Sequence, residues 1–360
     1  MAYTTIDNPE LYFQTKLWTG TGSSNALTLD GDEDMQPDFV WIKCRSVGEA
    51  HRLYDPVRGA TKQLVTSDTS AESTDATGLT AFDSDGFTVS TGNPVNASAR
   101  TYVAWCWKAG TAFSNDASAT SVGSIDSDGS INQDAGFSIC SYTGTGSAGT
   151  IKHGLNSTPS IIILKNRIGG SLFWYMYHKS LGNNTELYLN ATDAAPASTS
   201  AWNTTSPTSS VFSVGSHAGT NGSSEGTIAY CFLDVQGYSK FGSYVGNGST
   251  DGTFVYTGFR PAFVLTKGSS AAGLNWLLMD NKRHSVAPAS GGTNFNVIDR
   301  QLMPNLSNAD DTNENIDFLS NGFKWRRDGG DSNYDGRTYV YMAFAEAPFV
   351  NSNGVPCNAR

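Results

Sequence analysis

The sequence predicts an all-β protein of three tandem antiparallel β-sandwiches built on one internal repeat. Three observations lead there. Short apolar runs alternate with stretches of Gly, Ser, Thr, Asn and Asp, and only 16% of the 360 residues are charged, the composition of a chain with many strands and turns. A proline, an apolar run and a lysine six positions on occur three times: Pro37-Asp38-Phe39-Val40-Trp41-Ile42-Lys43, Pro159-Ser160-Ile161-Ile162-Ile163-Leu164-Lys165 and Pro261-Ala262-Phe263-Val264-Leu265-Thr266-Lys267. A glycine motif precedes each run, as Trp18-Thr19-Gly20-Thr21-Gly22-Ser23, Tyr142-Thr143-Gly144-Thr145-Gly146-Ser147 and Tyr244-Val245-Gly246-Asn247-Gly248-Ser249. The prolines lie 122 and 102 residues apart and the motif aromatics 124 and 102, so two motifs agree on one long period.

Taken in order, residues 1–15 read as an arm and 16–110 as the first sandwich. Residues 111–135 form a linker with a hairpin-like segment, 136–237 the second sandwich, 238–349 the third, and 350–360 a tail. Units of about a hundred residues can each hold a core, unlike the short repeats of a solenoid. Within each unit the proline can open a strand without wasting a ladder donor. The run from Ile161 to Leu164 is apolar at every position, as in a strand covered on both faces, and the lysine is expected to end it with a solvated head. An aromatic-rich run follows (His51–Asp55, Trp174–His178, Trp276–Asp280), and Tyr102–Trp107, Ile228–Leu233 and Tyr339–Phe344 close the units. Asp83-Ser84-Asp85-Gly86 and Leu319-Ser320-Asn321-Gly322 read as hairpin tips, where Gly accepts positive φ. The second unit has Ser209-Ser210-Val211-Phe212 at that place, a diverged turn.

The net charge of −10 argues against nucleic-acid binding, which needs clustered Lys and Arg. Met1–Asp7 lacks the pattern of a secretory signal, and no apolar run is long enough for a membrane-spanning helix. Of the five cysteines, Cys44, Cys106, Cys140 and Cys231 sit in strand-like runs and Cys357 in the tail; no CxxC occurs. The first four read as small buried thiols of a protein made in a reducing cytoplasm.

Motifs of known chemistry fit poorly. Gly144–Gly149 satisfies GxGxxG without a helix after it, and Gly222–Gly226 fits GxSxG inside a polar loop rather than a strand-turn-helix elbow. Asp30-Gly31-Asp32-Glu33-Asp34 lacks calcium-loop spacing, and His51, His153, His178, His217 and His284 show no zinc spacing. No catalytic residue, metal or cofactor is therefore expected. Arg45 and Arg167 follow their lysines by two residues, but Ser269 stands third, which breaks a repeated ligand set. Aromatics in polar stretches are the candidate binding residues: Trp202, Trp325 and Tyr334.

With the repeat in place, a family resemblance appears. Tyr142–Ser147, His153-Gly154-Leu155 and Pro159–Arg167, with the closing Tyr339–Phe349, resemble a module of virion and tail-fibre-like proteins of tailed bacteriophages, marine ones especially. The resemblance runs from Thr4 to Phe349; the first unit departs from it in lacking His-Gly-Leu. It implies a concanavalin-like or jelly-roll sandwich carried on a virion assembled in the host cytoplasm, and transfers no catalytic residue. The leading expectation is a non-enzymatic virion structural protein, a tail-fibre or tail-associated component that contacts the host surface. Its expected partners are other virion proteins, met through the amino-terminal arm, a host surface glycan, and copies of itself, trimers being common among fibres. The alternatives are a capsid decoration protein and a glycan-binding or polysaccharide-depolymerising protein.

Overall fold

The computed structural model describes residues 2–284 and 297–356. Met1, Cys357 and the last three tail residues lie outside the described residues. The chain is all-β, and each repeat unit has a large antiparallel sheet with one strand order. The opening strands Phe13–Thr19, Phe137–Thr143 and Ser239–Val245 pair with the closing strands Thr101–Trp107, Gly226–Phe232 and Thr338–Pro348. These pair in turn with the proline-to-lysine strands Phe39–Cys44, Ile161–Asn166 and Phe259–Gly268. Arg52–Tyr54, Trp174–His178 and Trp276–Asp280 come next. A small sheet covers one face of each large one: three strands in the first unit, two in the second, four in the third.

The proline-to-lysine strands are apolar throughout because both faces are covered. In Ile161–Asn166, Ile162 and Leu164 enter the core under their own small sheet, while Ile161 and Ile163 turn the other way. That second face meets the same face of the other two units in one shared core. Trp107, Phe232 and Phe344 occupy equivalent places in the closing strands and touch one another, with ring centroids 6.3, 5.4 and 5.8 Å apart. Three equivalent residues in mutual contact mark an approximate threefold axis through the middle of the chain. Pro37 and Pro159 precede their strands, whereas Pro261 lies inside one, at a break in register between Arg260 and Phe263. A bulge there accommodates the missing N–H.

The hairpin tips fall where expected, with Asp83 paired to Gly86 and Leu319 to Gly322. In the diverged turn of the second unit, the Thr208 hydroxyl accepts hydrogen bonds from the Ser210 and Val211 amides. The glycine motif is a clamp rather than a phosphate cradle. A fully buried asparagine, Asn96, Asn221 or Asn333, holds each motif loop, accepting from the amide of Thr21, Thr145 or Asn247 and donating to the carbonyl of Ser23, Ser147 or Ser249. A Cβ on Gly144 would come within 2.3 Å of the Gly222 carbonyl, and Gly146 has φ +73°, so neither tolerates a side chain.

Three segments outside the repeated strands are built into the fold. Residues 111–135 are no mere linker, because Thr111–Asn115 and Ser127–Asn132 add two strands to the edge of the second unit's large sheet. The arm is folded onto its own chain. Thr4 and Ile6 are buried, and the Thr4 hydroxyl donates to the Gln236 carbonyl at 2.7 Å. The tail returns to the arm, where Ser352 is bonded to Asp7. Cys44, Cys106, Cys140 and Cys231 are buried free thiols. Among the described residues no helix is long and apolar enough to cross a membrane.

Candidate functional site

Strand parity sends each repeated lysine toward the shared core and not, as expected, to solvent. Lys43, Lys165 and Lys267 are fully buried, because they alternate in register with Phe39 and Trp41, with Ile161 and Ile163, and with Phe263 and Leu265. Each ammonium reaches a loop of a neighbouring unit. Lys165 donates to Thr69 O of the first unit (3.1 Å), and Lys267 to Thr192 O and Asp193 O of the second (3.4 and 2.9 Å). Lys43 donates to Ser307 O of the third (3.2 Å). The sense is the same at every seam, so the three contacts close into a ring. Burial pushes all three lysines down to about 8.

Two seams carry a buried ionic relay. In the first unit Asp55 binds Arg58 (2.5 Å), Arg58 reaches Glu72 (3.2 Å), and Glu72 holds Arg167 of the second unit (2.8 Å). In the third unit Asp280 binds Arg283 (2.5 Å), Arg283 reaches Asp310 (2.6 Å), and Asp310 holds Arg45 of the first (2.8 Å). A second contact repeats with the relay: the Tyr230 hydroxyl donates to Asp55 (2.6 Å) and Trp105 Nε1 to Asp280 (3.0 Å). At the third seam the whole set is replaced together. His178 stands where the aspartates do, Leu181 in place of the relay arginine and Ser269 in place of Arg45 or Arg167. Met342 is the equivalent of Trp105 and Tyr230, and His178 Nε2 pairs with the Tyr341 carbonyl (3.2 Å) instead. Arg45 and Arg167 are thus seam cations, present where the facing loop carries an acid. Glu72 is held below the usual carboxylate range by Arg167 and Arg58 against the opposing effect of its burial.

Of the candidate binding residues, only Tyr334 is at the surface. It is 51% exposed, with the Arg337 guanidinium 4.2 Å from its ring centroid. Trp202 and Trp325 are buried, which corrects their reading as surface aromatics. Trp202 packs edge-on against Tyr177 inside the second sandwich. Trp325 points into the third sandwich beside Phe323, two residues before it on one face of the strand Gly322–Trp325. Polar neighbours in sequence hid both: one lies in a loop tucked under the sheet, the other at the inward parity of a strand.

The third unit has surface aromatics that sequence reasoning missed. Phe254 and Tyr256 flank buried Val255 in Phe254–Tyr256 and point outward, 44% and 52% exposed. Lys324, paired across from Phe254, meets Asp251 at 2.6 Å, and Arg326 joins the same carboxylate. Register equates these two positions with Ala26 and Thr28 in the first unit and Thr150 and Lys152 in the second; Tyr334 corresponds to Ala97 and Gly222. The signal was available in the repeat, since only the third copy has rings at all three positions.

Asp30–Asp34 forms an exposed turn with Asp30 paired to Lys16. Among the described residues no group of His, Cys, Asp and Glu is arranged to hold a metal ion. A cavity of about 50 Å³ between the first and third units is lined by Gln14, Thr15, Ala262, Asn281 and Glu346, room for a few water molecules.

Comparison with curated proteins gives no match. A family model does match, over residues 8–348, across all three sandwiches and the seams between them, and the chain belongs to that family, described as a domain of unknown function (DUF7483).

Proposed function

We propose that this protein is a non-enzymatic structural component of a bacteriophage particle, a tail-fibre or tail-associated part whose third unit meets a glycan on the host surface. The observation that carries the proposal is the asymmetry of a repeated scaffold. Buried lysines, asparagines and core rings recur in all three units, whereas Phe254, Tyr256 and Tyr334 stand at the surface of one alone. A flat ring at Phe254, across from Lys324 of the Asp251, Lys324 and Arg326 cluster, suits a sugar, which offers C–H faces to stack and hydroxyls to hydrogen-bond. A rigid body that displays a variable face fits an attachment protein. The resemblance of the repeat to tail-fibre-like modules supports the same reading.

Gold-labelled antibody on intact particles tests the location, and the proposal expects label at the tail. Dense label over the head would replace it with a shell-decoration reading. A glycan array tests the face: binding by the wild type that is lost in Phe254→Ala/Tyr256→Ala supports it. Shortening of a polysaccharide by the purified protein would overturn the non-enzymatic reading.

A further inference from the structure

We infer that the exposed edge of Ser239–Val245 pairs with the same edge of a second copy of this chain, making a twofold dimer through a continuous β-sheet. The strand pairs along its length with Thr338–Pro348, and on its outer side, among the described residues, only Ser239 is met, by a bridge to Val235. The flanking bonds set the parity: Ala345 N donates to Tyr238 O and Gly246 N to Arg337 O, so Lys240, Gly242 and Tyr244 bond the closing strand. The amides and carbonyls of Phe241, Ser243 and Val245 therefore point away from the sheet. Two of these six groups are capped within the chain, Phe241 N by Asp234 at 2.8 Å and Val245 O by the Thr253 hydroxyl at 2.7 Å. Among the described residues the four left open are Phe241 O, Ser243 N, Ser243 O and Val245 N.

That set is self-complementary. A twofold axis through Ser243 brings Ser243 N to Ser243 O of the other copy in both directions, and Val245 N to Phe241 O. Every open group then has a partner. The two capped groups face each other across this same axis, so the caps cost the ladder those two bonds and leave no group without a partner. The chain also demonstrates that the position accepts a strand. In the second unit the equivalent edge, Phe137–Thr143, is covered by Ser127–Asn132. Among the described residues the third unit has no such cover, and its edge ends in Val245, 54% exposed, where the other units have Thr19 and Thr143. An uncovered edge tipped with an apolar side chain is what native sheets avoid unless a partner occupies it. The pairing would place Val245 opposite Phe241 of the other copy.

The inference does not depend on where the protein resides, and its test is separate from that of the glycan face. The full chain is examined by sedimentation velocity over the micromolar range, with amide exchange followed at Ser243 and Val245. We expect a concentration-dependent species of twice the chain mass and slower exchange at both amides as it forms. Ser243→Pro removes an outward N–H and leaves the ladder to Thr338–Pro348 intact, so it should give a folded monomer. Val245→Thr, the residue of the other units, should weaken the dimer roughly tenfold through lost apolar burial. A wild type that stays monomeric, a trimer, or a dimer indifferent to both substitutions would overturn the inference.

Discussion

The Glu72 carboxylate receives two hydrogen bonds from Arg167, one from Nε and one from Nη2, each 2.8 Å long, across the seam between the first and second units. This fork geometry is the strong form of an ion pair. The Arg58 side chain is fully buried behind it, so the acid neutralises one cation that water cannot reach and one that water partly reaches. Glu72→Gln should cost about 3 kcal/mol, because it leaves the buried arginine with less countercharge. Urea unfolding measures the loss, and a cycle with Arg167→Gln should show coupling of about 1 kcal/mol or more. The Asp310 and Arg45 pair should behave alike.

The three N–H groups of Lys267 lie within reach of four carbonyls, those of Thr192, Asp193, Gly268 and Leu274, so one N–H is shared. Lys43 and Lys165 donate to two each. Lys267→Met should therefore cost the most of the three substitutions, about 1–3 kcal/mol from carbonyls left unsatisfied. Equal costs for all three in urea unfolding would show that the carbonyl cradle is not what the lysine contributes.

Stability should fall on mild acidification through the buried histidines. Burial pushes His153 and His178 down to about 4, against about 6.5 in an unfolded chain. Below pH 6.5 the unfolded chain takes up protons that the folded one refuses, so the histidine contribution is complete above 6.5 and is lost as pH falls toward 4. At pH 5 each should cost on the order of 2 kcal/mol relative to pH 7.5. Urea midpoints across this range check it, and His178→Gln should flatten the slope by its share.

Phe254 and Tyr256 should be nearly neutral for stability when changed to Ser, within about 0.5 kcal/mol, as exposed side chains away from the core usually are. Thermal unfolding of the double variant checks this. A large loss would mean that the two rings support the fold and are not free to meet a ligand.

The repeat and the strands were legible in the sequence because they rest on local pattern. The motif Pro159 to Lys165 announces a covered strand, and Asp83 to Gly86 a tip. What the pattern could not say was how the strands' second faces are covered. Ile161 and Ile163 look the same whether they meet a small sheet or a neighbouring unit, so the shared core and the buried ends of Lys43, Lys165 and Lys267 stayed hidden. The loss of Arg at Ser269 looked like a broken ligand set. It makes sense only beside Leu181, His178 and Met342, which are far away in sequence and change with it. Trp202 was misplaced because a polar loop can still fold under a sheet.

The claim that the three repeats form one interlocked body is tested most directly by differential scanning calorimetry of the full chain. One cooperative transition, with calorimetric and van't Hoff enthalpies equal, is the result expected of units that share a core and a ring of buried contacts. Separate transitions for the repeats, or a calorimetric enthalpy about three times the van't Hoff value, would contradict it.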